Sequence, residues 1–200
     1  MHDRITAPRL PGAGAILGQQ VSVAAGRTYA ARLVERAGAV IQGGSDGLTH
    51  LFPDAATLAA APLDSLGITR SRAATLRALA RAVLEQRIDF DAAPEEVVAA
   101  LAALRGIGAW TAQYVALRAL GEPDAMPTGD LVLRRMAAAS QRLLSARELE
   151  ERARAWQPWR GYAVMHLWRT AATVRTVGAQ PEVNTEVAAR RLPSRTLRYA

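Results

Sequence analysis

The sequence predicts an all-α fold, and three observations support that prediction. Apolar residues, chiefly alanine and leucine, recur at spacings of three and four along most of the chain, which is the pattern of amphipathic helices. Residues that favour helix starts, namely serine, threonine, aspartate and proline, stand immediately before several of these runs. Strict alternation of apolar and polar residues, which is typical of β-strands, is scarce.

The first half of the chain divides into three predicted helices. Residues 15–37 form a long amphipathic run that ends at Gly38, and glycine commonly follows the last turn of a helix. Asp54 is placed to cap a short helix, because its carboxylate can accept a backbone N–H of the first turn. Either Thr69 or Ser71 begins the third helix.

The second half predicts five more helices. Pro94 begins the first of them, and a glycine-containing turn separates it from a helix over residues 109–120. Another helix begins near Asp130, and Ser145 opens a capping box for the next. Pro158 opens the last helix, whose apolar periodicity fades after residue 172.

The composition excludes several classes of chemistry. The 200 residues are 50% hydrophobic and 22% charged, which indicates a globular chain. All 25 basic residues are arginine, so a Schiff base with a lysine side chain is excluded. There is no cysteine, which excludes disulfides, thiolate nucleophiles and cysteine-ligated metals. His2, His50 and His166 are far apart in sequence, and we therefore expect no metal site built from side chains.

The charge and the hydropathy pattern bear on partners and location. The formal net charge of +7 favours a phosphate-rich partner. No apolar run has the length of a signal peptide or of a membrane span, so we expect a cytoplasmic protein with no membrane partner. Arginines accumulate near the C-terminus, and residues 173–200 are predicted to form a basic, flexible tail.

One motif suits phosphate binding. Arg105, Gly106, Ile107 and Gly108 interrupt two helical patterns, and the two glycines flank a single apolar residue. Such a turn can direct successive backbone amides outward at a helix N-terminus while the isoleucine anchors it in the core. Without further context, a tight turn between two helices with no ligand explains the same residues equally well.

Five segments in order along the chain carry a resemblance to a known family. The segment Leu104-Arg-Gly-Ile-Gly-Ala-Trp-Thr-Ala-Gln-Tyr114, followed by Met126-Pro-Thr-Gly-Asp130-Leu, resembles the helix-hairpin-helix and Gly/Pro-rich aspartate signature of DNA glycosylases. Residues 15–23, 156–162 and 162–168 are similar to further segments of that superfamily. Within it, the chain most resembles the 3-methyladenine DNA glycosylase II (AlkA-like) branch.

The resemblance covers about residues 8–172 and implies the architecture. We expect one helix-hairpin-helix glycosylase domain made of two helical sub-domains that flank a cleft. Members of this branch begin their first helix one or two turns earlier, so a shortened first helix is expected here. They also usually carry an N-terminal β-rich domain, to which no part of these 200 residues corresponds.

The resemblance also implies an activity. Some relatives cut the DNA strand through a lysine imine or carry a four-cysteine iron–sulfur cluster, and this chain has neither residue type. What it implies is a monofunctional glycosylase that flips alkylated bases of the 3-methyladenine type out of duplex DNA and hydrolyses the N-glycosidic bond. That step initiates base excision repair. Two alternatives remain open: a non-catalytic helix-hairpin-helix DNA-binding protein, and a glycosylase for oxidised or mismatched bases.

Four residues are the candidates for chemistry and base recognition. The resemblance places Asp130 opposite the flipped sugar, where a carboxylate can stabilise developing positive charge or help to activate water. Trp110, Tyr114 and Trp168 stand where the family builds an aromatic pocket, and electron-rich rings attract a cationic alkylated base. A helix cap at Asp130 and ordinary core packing of the aromatic residues are the structural alternatives.

The remaining candidates concern DNA contacts and ions. Gln19 and Gln20 lie within the helix predicted over residues 15–37, where the family inserts a side chain into the duplex. Gln20 aligns with that wedge, which is apolar in the best-known members, and a glutamine on the helix surface with no role in DNA binding explains the residue equally well. The hairpin of residues 105–108 is expected to bind the backbone of double-stranded DNA. The resemblance implies no required cofactor, with a structural Na⁺ or K⁺ on the hairpin carbonyls as an option. We expect a monomer.

Overall fold

The computed structural model describes residues 10–42, 49–138 and 142–178. Nine α-helices lie in this part of the chain. Their bounds are α1 Ala13–Leu17, α2 Val23–Ala37, α3 Ala55–Ala60, α4 Arg70–Leu84, α5 Pro94–Ala102, α6 Ala109–Val115, α7 Leu131–Met136, α8 Ala146–Ala153 and α9 Arg160–Gly178. The predicted all-α fold is confirmed, since the described residues form no strand beyond one isolated bridge between Val40 and His50.

Local capping chemistry explains where several helices begin. Asp54 Oδ1 accepts the Thr57 N–H at 2.8 Å at the start of α3, as the sequence predicts. Thr69 caps α4, which decides between the two predicted starts. The capping box of α8 is present, because Ser145 and its N3 glutamate exchange both side-chain to backbone bonds.

The predicted helix over residues 15–37 is wrong, because the chain forms two helices there. Helix α1 ends at Leu17, and α2 begins after Ser22, whose hydroxyl accepts the Ala25 N–H at 3.2 Å. The intervening loop lets the two helices pack closely, since a Cβ on Gly26 would lie 3.2 Å from the Gly18 Cα. Apolar periodicity continues through the loop, so the sequence pattern alone conceals the break.

The predicted helix over residues 109–120 is α-helical only as far as Val115. The segment Ala116–Leu120 continues as a π-helix and ends at Gly121, which has a φ of +73°. At the end of the described chain, α9 extends to Gly178, past the predicted domain limit at residue 172. The rest of the predicted tail, with Arg190, Arg191, Arg195 and Arg198, lies outside the described residues, as do residues 8 and 9.

The apolar residues form two cores, which define two sub-domains. The first core joins α1 to α6 and includes Leu76, Leu101 and Ile107. The second core joins α7, α8 and α9 and includes Leu133, Leu149 and Val164. We call the parts of the chain built on them the first and second sub-domains. The predicted cleft between two helical sub-domains corresponds to a pocket of about 540 Å³ with walls from both.

No helix among the described residues combines the length and the apolar character needed to cross a membrane.

Candidate functional site

The turn between α5 and α6 buries its apolar residue and exposes its glycines. Ile107 is 4% exposed within the first core, and its N–H donates to the Leu104 carbonyl at 3.0 Å. Arg105, Gly106 and Gly108 are exposed on the outer side. The turn therefore has the inward anchor and the accessible backbone that the sequence motif predicts.

The two hairpin glycines have different structural requirements. Gly106 adopts a φ of +94°, in the left-handed region, and a Cβ there would lie 2.0 Å from the Thr75 hydroxyl oxygen. Gly108 has a φ of −88° and precedes the first residue of α6, and a Cβ there would meet no atom within 4 Å. The fold therefore requires glycine at 106, whereas at 108 it leaves open space beside the helix N-terminus.

Asp130 caps α7 and also reaches the pocket. Its Oδ1 accepts the Leu133 N–H at 2.9 Å, which is the N-cap bond, and its Oδ2 accepts the indole N–H of Trp110 at 3.1 Å. The loop that carries it is tightened by the Asp130 N–H, which donates to the Pro127 carbonyl at 2.9 Å. Capping and pocket contact are thus made by different oxygens of one half-buried carboxylate.

The three predicted pocket aromatics come together in the structure. The rings of Trp110 and Tyr114, one turn apart on α6, stack with centroids 5.2 Å apart and planes inclined by 22°. Trp168 of α9 lies 5.9 Å from the Tyr114 ring at an angle of 50°. Each ring is half-buried, so the cluster is neither core nor free surface. Asp130 stands at one end of a continuous aromatic wall.

The pocket has room opposite this wall. Its other side comes from α1 and α2, where Gly14, Gly18 and Gly26 present no side chains. A volume of about 540 Å³ falls in the range of small-molecule sites and can hold a single nucleobase. Arg27 and Arg118 also line the pocket. The sequence analysis missed them, and among so many arginines nothing in the local sequence distinguishes them.

The two glutamines are separated by the structure. The Gln19 amide turns inward and donates to the Gly106 carbonyl at 3.1 Å and to the Thr111 hydroxyl at 3.0 Å. Gln20 is exposed and adopts a φ of +52°. Both lie in the loop between α1 and α2, so the prediction that they lie within a helix is wrong. The Gln19 side chain is therefore bound within the protein, whereas that of Gln20 faces solvent.

Two residues that no sequence motif indicates support these loops. Arg72 Nη2 donates to the Gln19 carbonyl at 2.5 Å, and the buried Thr75 contacts the hairpin. Both lie in the first turns of α4, where an arginine and a threonine are unremarkable in sequence. Only the tertiary contacts, over separations of 53 and 30 residues, show their relevance.

No cluster of three or more His, Cys, Asp or Glu side chains within the described ranges could hold a metal ion. The hairpin offers main-chain carbonyl oxygens instead. The Gly106 carbonyl accepts a hydrogen bond from Gln19, and the Arg105 carbonyl lies 3.3 Å from the Thr75 hydroxyl.

Together the fold and the site define a helix-hairpin-helix protein with an aromatic, base-sized pocket and a carboxylate at one end of its aromatic wall. The family described as "HhH-GPD superfamily base excision DNA repair protein" matches residues 13–160. The chain belongs to this family.

Named relatives agree with the family. The "Probable bifunctional transcriptional activator/DNA repair enzyme AlkA" of Mycobacterium tuberculosis is 38% identical over 158 residues, which are 78% of this chain and 32% of the relative. The "DNA-3-methyladenine glycosylase 2" of Escherichia coli is 34% identical over 165 residues, or 80% of this chain and 56% of the relative. The chain thus spans about a third and about half of the lengths of these two proteins.

Solved structures show the same fold. A 3-methyladenine DNA glycosylase from Archaeoglobus fulgidus is 28% identical and superimposes with a TM-score of 0.67 over 80% of this chain and 57% of the other. The 3-methyladenine DNA glycosylase of Schizosaccharomyces pombe, in complex with abasic DNA, is 20% identical with a TM-score of 0.68 over 82% and 80% of the two chains.

Proposed function

We propose that this chain is a monofunctional DNA glycosylase that hydrolyses the N-glycosidic bond of alkylated bases of the 3-methyladenine type in duplex DNA. One observation carries the proposal: the Asp130 carboxylate is bound to the indole of Trp110 at the end of the aromatic wall. One flipped nucleotide could therefore contact both the carboxylate and the rings. The relatives' names give the same class of activity.

The aromatic wall accounts for the choice of base. Alkylation at a ring nitrogen gives a purine a positive charge, and the faces of Trp110, Tyr114 and Trp168 attract that charge. Each favourable contact is worth about 0.5–2 kcal/mol. The normal, neutral base gains less, so the wall discriminates by charge. The glycine-lined opposite side leaves room for the added alkyl group.

Asp130 supplies the negative charge for the reaction. When the cationic base departs with the electron pair of the glycosidic bond, it becomes neutral and the sugar becomes an oxocarbenium ion. The carboxylate, fixed by Leu133 and Trp110, stabilises that ion. Water then adds to C1′ and releases a proton, which leaves an abasic site. A cationic base needs no strong general acid to leave.

The hairpin is the proposed phosphate contact. The open space beside Gly108 at the start of α6 gives a phosphate access to backbone amides, and the exposed Arg105 adds positive charge. On the other side of α6, a cavity of about 480 Å³ is bordered by Glu95, Glu122 and Glu150, which would repel phosphates. This repulsion favours a duplex bound at the hairpin and the aromatic pocket, and we propose that the chain acts there as a monomer.

Gln20 is the proposed wedge. It is exposed in the loop that borders the pocket, and an inserted amide can fill the space left by the extruded nucleotide and bond to the orphaned base. Gln19, by contrast, is occupied inside the protein.

A monovalent cation is a finer part of the proposal. Neutral main-chain carbonyl oxygens are ligands of the kind that Na⁺ and K⁺ bind. In the hairpin the carbonyls of Arg105 and Gly106 already accept from Thr75 and Gln19, so an ion would use their second lone pairs. The ion would stiffen the turn and add positive charge near the phosphate. Replacing K⁺ by tetramethylammonium at equal ionic strength should then lower the affinity for duplex DNA and the melting temperature, and unchanged values would remove the ion from the proposal.

The decisive experiment measures base release from alkylated duplex DNA. We expect free 3-methyladenine in solution and abasic strands that break only after treatment with hot alkali, because the chain has no lysine to form an imine. Breakage without alkali would contradict the monofunctional reaction. Binding without any base release would favour the non-catalytic alternative, and release of oxidised or mismatched bases alone would favour the other.

A further inference from the structure

The loop between α1 and α2 is held in a conformation that needs support. Gln20 adopts a φ of +52°, and a side chain other than glycine rarely occupies the left-handed region. Such a residue persists only where surrounding contacts impose it. Gln20 itself is exposed, so the support must come from its neighbours.

Arg72 provides the support on one side. Its Nη2 donates to the Gln19 carbonyl at 2.5 Å. That carbonyl belongs to the planar peptide that joins Gln19 to Gln20, so its direction restricts the φ of Gln20. The guanidinium is fixed in turn over the ring of Tyr29, 5.7 Å from its centroid.

Gln19 connects the same loop to the hairpin. Its amide nitrogen has two protons, which match the Gly106 carbonyl at 3.1 Å and the Thr111 hydroxyl at 3.0 Å. The side chain and the carbonyl of one residue are thus fixed by two different elements. We call the loop of residues 18–22, between α1 and α2, the wedge loop. It cannot shift relative to the hairpin without breaking one of these bonds.

The hairpin rests on the same turn of α4. Thr75, three residues after Arg72, directs its hydroxyl to within 3.3 Å of the Arg105 carbonyl and 3.0 Å of the Ser71 carbonyl. Gly106 packs directly against it, as the blocked Cβ position shows. One helical turn therefore supports both of the elements that face DNA.

Holding the loop through the Arg72 guanidinium carries a cost in stability. Its Nε is buried and has no hydrogen-bond partner among the described residues. An unpaired buried donor lowers stability, so packing alone does not explain an arginine here.

We propose that Arg72 and Gln19 are positioning residues that join the wedge loop and the hairpin into one rigid unit. Gln20 then enters the duplex at a fixed distance from the phosphates held by the hairpin, and Arg72 acts through Gln20. This inference rests on the proposed function and adds to it the residues that set the geometry of base flipping.

The test compares Arg72→Met with Arg81→Met. Methionine keeps most of the side-chain volume and removes the guanidinium, and Arg81 is an exposed arginine nine residues further along α4. The measurement is the affinity for a duplex with a tetrahydrofuran abasic analogue, divided by the affinity for the intact duplex. We expect Arg72→Met to lower this preference by about tenfold or more, because a small displacement of a group that contacts the substrate has effects of this size. Arg81→Met should leave the preference unchanged.

A double-mutant cycle shows whether Arg72 acts through Gln20. Glycine adopts a positive φ freely, so Gln20→Gly removes the wedge side chain and the need for support together. In that background Arg72→Met should have little further effect on the preference. Gln19→Met in the wild-type background should reproduce the loss caused by Arg72→Met.

Three results would overturn the inference. In the first, Arg72→Met keeps the preference for the abasic duplex. In the second, Arg72→Met lowers the affinities for both duplexes equally together with the melting temperature, as a merely structural role requires. In the third, Arg72→Met has its full effect on the preference in the Gln20→Gly background. A wild-type protein with no preference for the abasic analogue would instead contradict the proposed function itself, and the positioning role with it.

Discussion

The first sub-domain has a large core that joins α1 to α6, whereas the second has a small one. The buried members of the second core are Met126, Leu133, Ala137, Leu149, Ala153 and Val164. The first sub-domain supplies the hairpin, the glycines of one pocket wall and the rings of Trp110 and Tyr114. The second supplies Asp130 and Trp168.

Polar ties compensate for the small core. The Arg160 guanidinium donates two hydrogen bonds to the Asp124 carboxylate, at 2.8 and 2.6 Å. The Arg134 Nε donates to the Leu144 carbonyl at 2.6 Å. The difference teaches that the two halves should fail differently. Substitutions at the hairpin glycines of the first sub-domain should act through backbone geometry, and those at Asp130 and Asp124 in the second through charge.

The largest effect is expected at the carboxylate of the second sub-domain. Asp130→Asn removes the charge that stabilises the oxocarbenium ion, so excision should fall by about 10²–10³-fold or more. Duplex affinity should stay equal or rise, because a charge that repels phosphate is lost. Asn still caps α7, but its amide group then faces the Trp110 N–H, so a loss of about 1 kcal/mol in stability is expected.

Asp54→Asn is the matched control. Asp54 caps α3 with the same bond to a backbone N–H, at 2.8 Å, and does not line the pocket. Single-turnover excision, duplex affinity and thermal melting should be measured for both variants. Equal excision by wild type and Asp130→Asn would remove Asp130 from the mechanism, and an equal loss in Asp54→Asn would show that capping is the common cause.

The next effect contrasts two positions in the first sub-domain. Gly106→Ala combines a left-handed φ with a collision at Thr75, so it should lower the free energy of unfolding by about 2–4 kcal/mol. Gly108→Val should lower it by only about 1 kcal/mol, since the N-cap is poorer but the space is open.

For DNA affinity we expect the opposite order, with the larger loss at Gly108. At temperatures where both variants are folded, Gly108→Val should weaken binding to all duplex sequences by about tenfold or more, because its side chain occupies the proposed phosphate site. Measurements at several salt concentrations should show a shallower salt slope for this variant. Normal binding by Gly108→Val would remove the hairpin from the DNA interface.

The sequence predicted the parts of this structure that depend on neighbouring residues. Asp54, Ser145 and Asp130 cap helices through bonds to residues three positions away, and short motifs report such bonds. The break at residues 18–22 also has a local cap at Ser22, but the apolar periodicity that continues through the loop conceals it. The support from Arg72 and Gln19 depends on contacts across 53 and 87 positions, which helical periodicity does not report. The proximity of Trp168 to Trp110 and Asp130 was predicted only from the family resemblance, because nothing else in a single sequence reports contacts between distant residues.

A smaller effect should distinguish the ion pairs of the two sub-domains. Asp124→Asn breaks a partly buried pair with Arg160 and should lower the free energy of unfolding by about 1–3 kcal/mol. Asp64→Asn in the first sub-domain is the control, because Asp64 is 79% exposed and lies 3.8 Å from Arg77, where a pair contributes about 0–1 kcal/mol. Chemical denaturation of both variants makes the comparison, and equal losses would refute a special dependence of the small core on polar ties.

Acid should affect the same pair. The hydrogen bond from Arg160 holds the pKa of Asp124 below its ordinary value, so its stabilising contribution is present above the ordinary pKa and is lost as the pH falls through the lowered one. The difference between wild type and Asp124→Asn should therefore shrink at acid pH.

The smallest effect concerns the capping box of α8. Hydrogen bonds from the Arg142 side chain and then from Ser145 lower the pKa of Glu148 from 4.5 to about 2. A lowered pKa stabilises the folded state above pH 4.5, and the contribution disappears as the pH falls towards 2. Glu148→Gln keeps a side chain that can complete the capping box but removes the charge, so its melting temperature should lie below that of wild type at pH 7, and the difference should disappear between pH 4.5 and 2. Glu96→Gln, the same substitution in the first turn of α5 in the first sub-domain, is the control for the loss of one carboxylate. Parallel acid melting curves for wild type and Glu148→Gln would show that the capping glutamate adds nothing to the charge dependence of the small sub-domain.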